Sequence, residues 1–134
     1  MSYWVVVVDD DLITTEVQKQ LIIESGLSDQ PLSFKDGKEF MDALDELQKN
    51  PDKYLVFLDI NMPTMDAWQV MDQLTEEQWS KVKVYITTSS TDQRDKERAR
   101  QYRIDGYIEK PLTINKCMEL RDRLAANGPN GTHV

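Results

Sequence analysis

Four short stretches of this chain end in side chains suited to holding a cation and moving a phosphoryl group: Asp9-Asp10-Asp11, Asp59-Ile60-Asn61, Thr87-Thr88-Ser89-Ser90 and Glu109-Lys110-Pro111. Carboxylates brought together repel and raise one another's pKa, a cost that a protein tolerates when a dication neutralises them. With Asp oxygens, an Asn or backbone carbonyl and water on offer, and no His or Cys beside them, the natural ion is Mg2+ rather than zinc. Carboxylates too few for a full cage leave positions open to water or substrate, as in magnesium sites that work on phosphate. Phosphoryl transfer spreads negative charge over three oxygens and asks for positioning and cations. Lys110 can supply an ammonium and Thr88 a hydroxyl, while an Asp carboxylate is a competent nucleophile that yields an acyl phosphate. Asp59 is the candidate nucleophile because it ends the central apolar run, between the other two groups.

These residues meet only if the elements carrying them are neighbours. Five apolar runs punctuate the chain: Tyr3 to Val8, Leu32 to Phe34, Tyr54 to Leu58, Val82 to Ile86 and Tyr107 to Ile108. The first and third show little alternation, as strands buried on both faces of a parallel sheet do. Helical spacing fills the gaps. Ile13, Val17 and Leu21 repeat every fourth position before Gly26, and are expected to form the buried stripe of the first helix. Asp36 and Glu39 resemble a capping box ahead of Phe40, Met41, Leu44 and Leu47. Ala67, Val70, Met71 and Leu74 form a third stripe, and Ile114, Cys117, Leu120 and Leu124 a last one after the possible cap Thr113. The segment Thr91 to Tyr102 is helix-compatible with almost no apolar stripe beyond Ala99 and Tyr102, so its packing must be thin. Strand and helix alternate five times, which predicts an α/β fold: a doubly wound five-stranded parallel sheet with helices on both faces. In such sheets the crevice lies at the carboxyl ends of the strands, where the four polar stretches sit.

Length and composition narrow the function classes. The chain has 134 residues, enough for a single core, with 40% hydrophobic and 30% charged residues and a net charge of -8. That acidity argues against nucleic acid as a partner, and the short first run, cut off by aspartates, argues against a signal peptide or membrane helix. A single cysteine, Cys117, fits a reducing, cytoplasmic setting and reads as a core residue. Residues 1–126 are expected to form the domain and 127–134 a frayed tail, with His133 poorly placed for phosphotransfer. Asp11 reads as a helix cap rather than a ligand.

The motifs VVVVDDD, FLDINMPTMD, VYITTSS and GYIEKPL, in this order and at these spacings, resemble the receiver domains of two-component response regulators from Tyr3 to about Leu124. The resemblance implies a stand-alone (βα)5, flavodoxin-like phosphoacceptor switch rather than an enzyme with turnover. It implies Asp59 as phosphoacceptor, Asp9, Asp10 and Asp59 as Mg2+ ligands and the backbone carbonyl of Asn61 as a further one. Thr88 and Lys110 carry over as the sensing hydroxyl and the cation, and Tyr107 as the aromatic that swings inward. The implied donor is a sensor histidine kinase or a histidine phosphotransfer protein, and the output a downstream protein target. The family commonly has Gly where Ala67 stands, so the turn before it must avoid a glycine-only conformation. Thr87 beside Thr88 leaves the sensing hydroxyl ambiguous by one position; the 22-residue step from Thr88 to Lys110 matches the family better. Two other readings stay open: a small magnesium phosphatase with an Asp nucleophile, which would want an acid where Asn61 stands, and an adaptor that binds without phosphorylation. Trp68 near the acidic stretch is a possible reporter of metal binding.

Overall fold

A computed structural model describes residues 3–127. The strands are β1 (Tyr3–Val8), β2 (Leu32–Phe34), β3 (Lys53–Asp59), β4 (Val82–Thr88) and β5 (Gly106–Glu109). The helices are α1 (Leu12–Glu24), α2 (Gly37–Leu47), α3 (Ala67–Gln73), α4 (Glu76–Lys81), α5 (Gln93–Ala99) and α6 (Ile114–Asn127). All four strand pairings are parallel, in the order β2-β1-β3-β4-β5, so β3 occupies the centre. The doubly wound, flavodoxin-like expectation holds. The expected tail lies outside the described residues, except that α6 runs one residue past the expected boundary.

Alternation along each strand divides the core into two layers. Val6, Val8, Val56, Leu58, Val84 and Ile86 face α2, α3 and the C-terminal end of α5, whereas Val5, Val7, Leu55, Phe57, Tyr85 and Ile108 face α1 and α6. Burial on both faces explains why β1 and β3 are apolar runs without alternation.

Three local expectations change. The stretch between β3 and β4 holds two helices, because Leu74 leaves helical geometry and Thr75 starts a fresh capping box with Gln78. In α2 the Asp36 carboxylate accepts from Glu39 N at 2.8 Å, but Glu39 reaches back to Lys35 N instead of the cap residue. The third change matters for function. The core stripe of α1 is Thr15, Gln18 and Ile22, while Ile13 and Val17 lie 78% and 53% exposed. Steps of four drift by about 40° per step around a 3.6-residue helix, so a row that reaches the core edge at Leu21 has turned to solvent at Ile13. The turn before Ala67 behaves as required: its left-handed residue is Thr64, at φ 68°, and Ala67 is the first residue of α3, behind the Asp66 cap.

Candidate functional site

The carboxyl ends of β1 and β3 bring three acids into one cluster. Single carboxylate oxygens of Asp9, Asp10 and Asp59 all lie within 4.8 Å of one another. Asp9 and Asp59 are buried, whereas Asp10 is exposed. Asp9 follows β1 and its N–H donates to Phe34 O, which extends the sheet one step towards β2. Asp11 stands outside the cluster as the α1 cap: its side chain accepts from Thr14 N at 3.1 Å, and its own N–H donates to Asp9 Oδ1 at 2.9 Å. Both the cap reading of Asp11 and the juxtaposition of Asp9, Asp10 and Asp59 therefore hold.

Lys110, one residue past β5, brings the opposing charge. Its ammonium lies 2.7 Å from Asp9 Oδ2 and 3.4 Å from Asp59 Oδ1. Burial pushes the Asp59 carboxyl up to about 6; the Lys110 ammonium opposes this, and the charges of Asp9 and Asp10 add to it. Burial acts downwards on the Lys110 ammonium, but its hydrogen bond to Asp9 and the charge of Asp59 hold it above its ordinary value. Three carboxylates against one ammonium leave two negative charges uncompensated at neutral pH. Asn61 and Asp10 line a small polar cleft with Met62, Pro63 and Asp66 on the open side of the cluster.

Two hydroxyls end β4. Cα pairing sets Thr87 directly beside Asp59, while Thr88, buried like Thr87, follows it as the last residue of the strand. Lys110 N donates to Thr88 O at 2.8 Å, and the Thr88 hydroxyl accepts from Ser90 N at 3.0 Å. The Tyr107 hydroxyl is buried with no partner among the described residues, and its ring lies 5.8 Å beneath the Lys96 ammonium of α5. Trp68 is buried, stacked on Tyr102 with Arg98 over its ring at 4.5 Å, so it is placed to report on α5.

The ties between these segments and α5 escaped sequence reading. Ser90 Oγ donates to Asp95 Oδ2 at 2.7 Å, and Lys96 pairs with Glu109 at 3.0 Å. Nothing in a charged stretch such as Thr91 to Tyr102 distinguishes a tie from a solvated charge. Beside Lys110, a groove of about 330 Å³ runs between Ile13, Thr14, Val17 and Gln18 of α1 and the Pro111-Leu112 loop. Gln18, 2% exposed, lines it with its carbonyl oxygen unpaired among the described residues.

A parallel sheet with an acid cluster, a lysine and a hydroxyl at its carboxyl edge fits the class of phosphoacceptor signalling domains. The family model described as response regulator receiver domain matches residues 5–122, and the chain belongs to that family. It is therefore a receiver domain of two-component signalling. Among curated relatives it is 30% identical over 136 residues to the hybrid signal transduction histidine kinase L of Dictyostelium discoideum, and spans 7% of that protein's length. It is 28% identical to the polar-differentiation response regulator DivK of Brucella ovis, with 89% of this chain and 93% of that protein covered. Among solved structures, a two component response regulator from Cytophaga hutchinsonii superposes with TM-score 0.82 at 27% identity, covering 92% of this chain and 97% of that one.

Proposed function

We propose that Asp59 accepts a phosphoryl group from a phosphohistidine of a sensor histidine kinase or histidine phosphotransfer protein, and that the chain presents the change to a downstream protein. The observation that carries this reading is the acid cluster with the Lys110 ammonium 3.4 Å from Asp59. Two uncompensated charges and an all-oxygen donor set fit a hard dication, which Asp9, Asp10, Asp59 and the Asn61 carbonyl would hold. Magnesium bound there supplies positive charge against the oxygens of the phosphoryl group.

In the chain's own part of the chemistry, an Asp59 oxygen forms a bond to phosphorus as the donor's P–N bond breaks and its imidazole leaves. Lys110 turns from Asp9 to a phosphoryl oxygen, and Thr88 donates its hydroxyl proton to another. Tyr107 then moves with the α5 side of the molecule. The apolar groove supports the donor reading: Ile13 and Val17 are exposed on α1 beside Lys110, where a helical donor would have to sit for its histidine to reach Asp59. The cations of α5 offer less free charge than their number implies, since Arg94 pairs with Asp92, Lys96 with Glu109, and Arg98 covers Trp68. A histidine kinase donor implies a cytoplasmic location; among the described residues, no helix is long and apolar enough to cross a membrane.

The test is incubation with a small phosphodonor and magnesium, then peptide mapping. The expected result is a gain of about 80 Da on Asp59, lost with chelator. Label on another residue, or label that survives in Asp59→Asn, ends the proposal. Turnover of many equivalents of a phosphate ester would favour a phosphatase instead.

A further inference from the structure

Helix α5 is seven residues long and buries only Ala99, so neither its own propensity nor an apolar stripe can hold it in place. Its ties fall into two groups of different chemistry. At the C-terminal end Ala99 enters the core, Tyr102 stacks on Trp68 at 5.9 Å, Arg98 covers the same indole, and the Tyr102 hydroxyl donates to Asp72 Oδ1 at 2.7 Å. That end is anchored to α3, which buries Ala67, Trp68, Val70 and Met71.

At the N-terminal end the ties are polar. Asp95 Oδ2 accepts from Ser90 Oγ at 2.7 Å, and Ser90 Oγ accepts in turn from Asp92 N at 3.2 Å. Lys96 pairs with Glu109 Oε1 at 3.0 Å and lies over Tyr107. Ser90 is the residue whose N–H engages the Thr88 hydroxyl, and Glu109 is bonded directly to Lys110. The two polar ties of α5 thus end on the two segments that hold the proposed phosphoryl-binding hydroxyl and ammonium.

We propose that Asp95 and Lys96 are positioning residues: acting through Ser90 and Glu109, they hold the Thr88 and Lys110 segments in the arrangement adopted without a phosphoryl group. Both ties open when Thr88 and Lys110 turn to the phosphoryl oxygens, and α5 then swings about its Trp68 anchor. This inference rests on Asp59 being the acceptor. It makes a linkage statement: contacts present in one state only must oppose the ligand that selects the other.

The experiment measures the affinity of the magnesium-loaded chain for beryllofluoride, a tetrahedral phosphoryl analogue, by calorimetry, in wild type, Asp95→Ala, Lys96→Met and the double variant. Each single change is expected to tighten binding about threefold and the pair about tenfold, the scale of one exposed polar tie each. Thermal unfolding of the same samples separates a merely structural role, which lowers the melting temperature and leaves the affinity alone. Wild-type binding at Asp59 with unchanged or weaker binding in the variants overturns this inference and spares the acceptor reading. No binding by the wild type takes down both, and because Lys96→Met keeps the aliphatic stem, that variant reports even where Asp95→Ala does not fold.

Discussion

Helix α1 runs 13 residues from the Asp11 cap and buries Thr15, Gln18 and Ile22, while α5 runs seven and buries Ala99. Both border the acid rim, yet they expose opposite things. The long helix is fixed to the sheet and shows water its apolar side chains, Leu12, Ile13 and Val17. The short one hides almost nothing apolar and is held at its rim end by a hydroxyl-carboxylate bond and an ion pair. Apolar groups on a rigid scaffold suit docking, because burial by a partner is favourable at about 25 cal/mol per Å² and no fold has to open first. Exchangeable polar ties suit motion, since each is worth about 1 kcal/mol and is replaced by water at little net cost. Under the proposed function, the division corresponds to input on the α1 side and output on the α5 side.

The most severe way to break this division is to remove what both helices flank. Asp59→Asn is expected to abolish phosphorylation from small and protein donors alike, read by intact mass. Phosphorylation of that variant at any rim carboxylate would mean that the two sides are not organised about Asp59. A graded test follows at α1. Ile13→Asp with Val17→Asp is expected to slow transfer from a histidine kinase that phosphorylates the wild type by about 10- to 100-fold, while labelling by a small phosphodonor is unchanged. Folding stability should move by about 0.5 kcal/mol or less, because neither side chain is in the core. Equal losses with both donors would show that α1 shapes the acid site rather than the docking surface.

The hydroxyl pair at the end of β4 sharpens the other side. Thr88→Val is expected to weaken beryllofluoride binding about tenfold, by loss of a charge-assisted hydrogen bond. Thr87→Val, which keeps the buried shape beside Asp59, is expected to change it less than twofold. The reverse order would move the sensing role to Thr87 and detach it from the Ser90 tie to α5.

Much of this was legible in sequence because it depends on burial or covalent order. Two-faced burial makes β1 and β3 continuous apolar runs, and their common direction puts Asp9 and Asp59 on one edge, so fold and acid cluster follow together. Asp36 and Thr113 were readable as caps because capping depends on the next three residues alone. The α1 stripe was misread because a four-residue repeat fits both a core face and an exposed ridge, and only the partner surface decides between them. The core there accepts Thr15, whose hydroxyl lies 3.5 Å from Asp9 O, and Gln18, polar residues that no apolar pattern would select. The ties of α5 were invisible for a similar reason: Asp95 and Lys96 look like solvated residues until the ends of β4 and β5 bring Ser90 and Glu109 alongside.

The last expected effect is a pH dependence that only the acid rim should show. In the metal-free chain the Asp59 carboxyl is raised from 3.8 to about 6, chiefly by burial. Between those values the folded chain holds a proton that the unfolded chain has released, so this group's contribution to stability is fully present below 3.8 and is lost as pH rises through about 6. Asp59→Asn removes the charge and keeps the shape. It is therefore expected to match wild-type stability near pH 4 and to exceed it by about 1 kcal/mol at pH 8, a figure reduced by solvent screening at the open rim. Denaturant titrations at the two pH values, with chelator present, measure the difference. Magnesium should shrink the gain or reverse its sign, because a dication bound to the folded wild type stabilises it by mass action. The α1 variants Ile13→Asp and Val17→Asp should leave that pH difference in place, and so should Lys96→Met on α5. Were either helix's variant to abolish it, the carboxylate's elevation would belong to that helix's packing rather than to the strand ends.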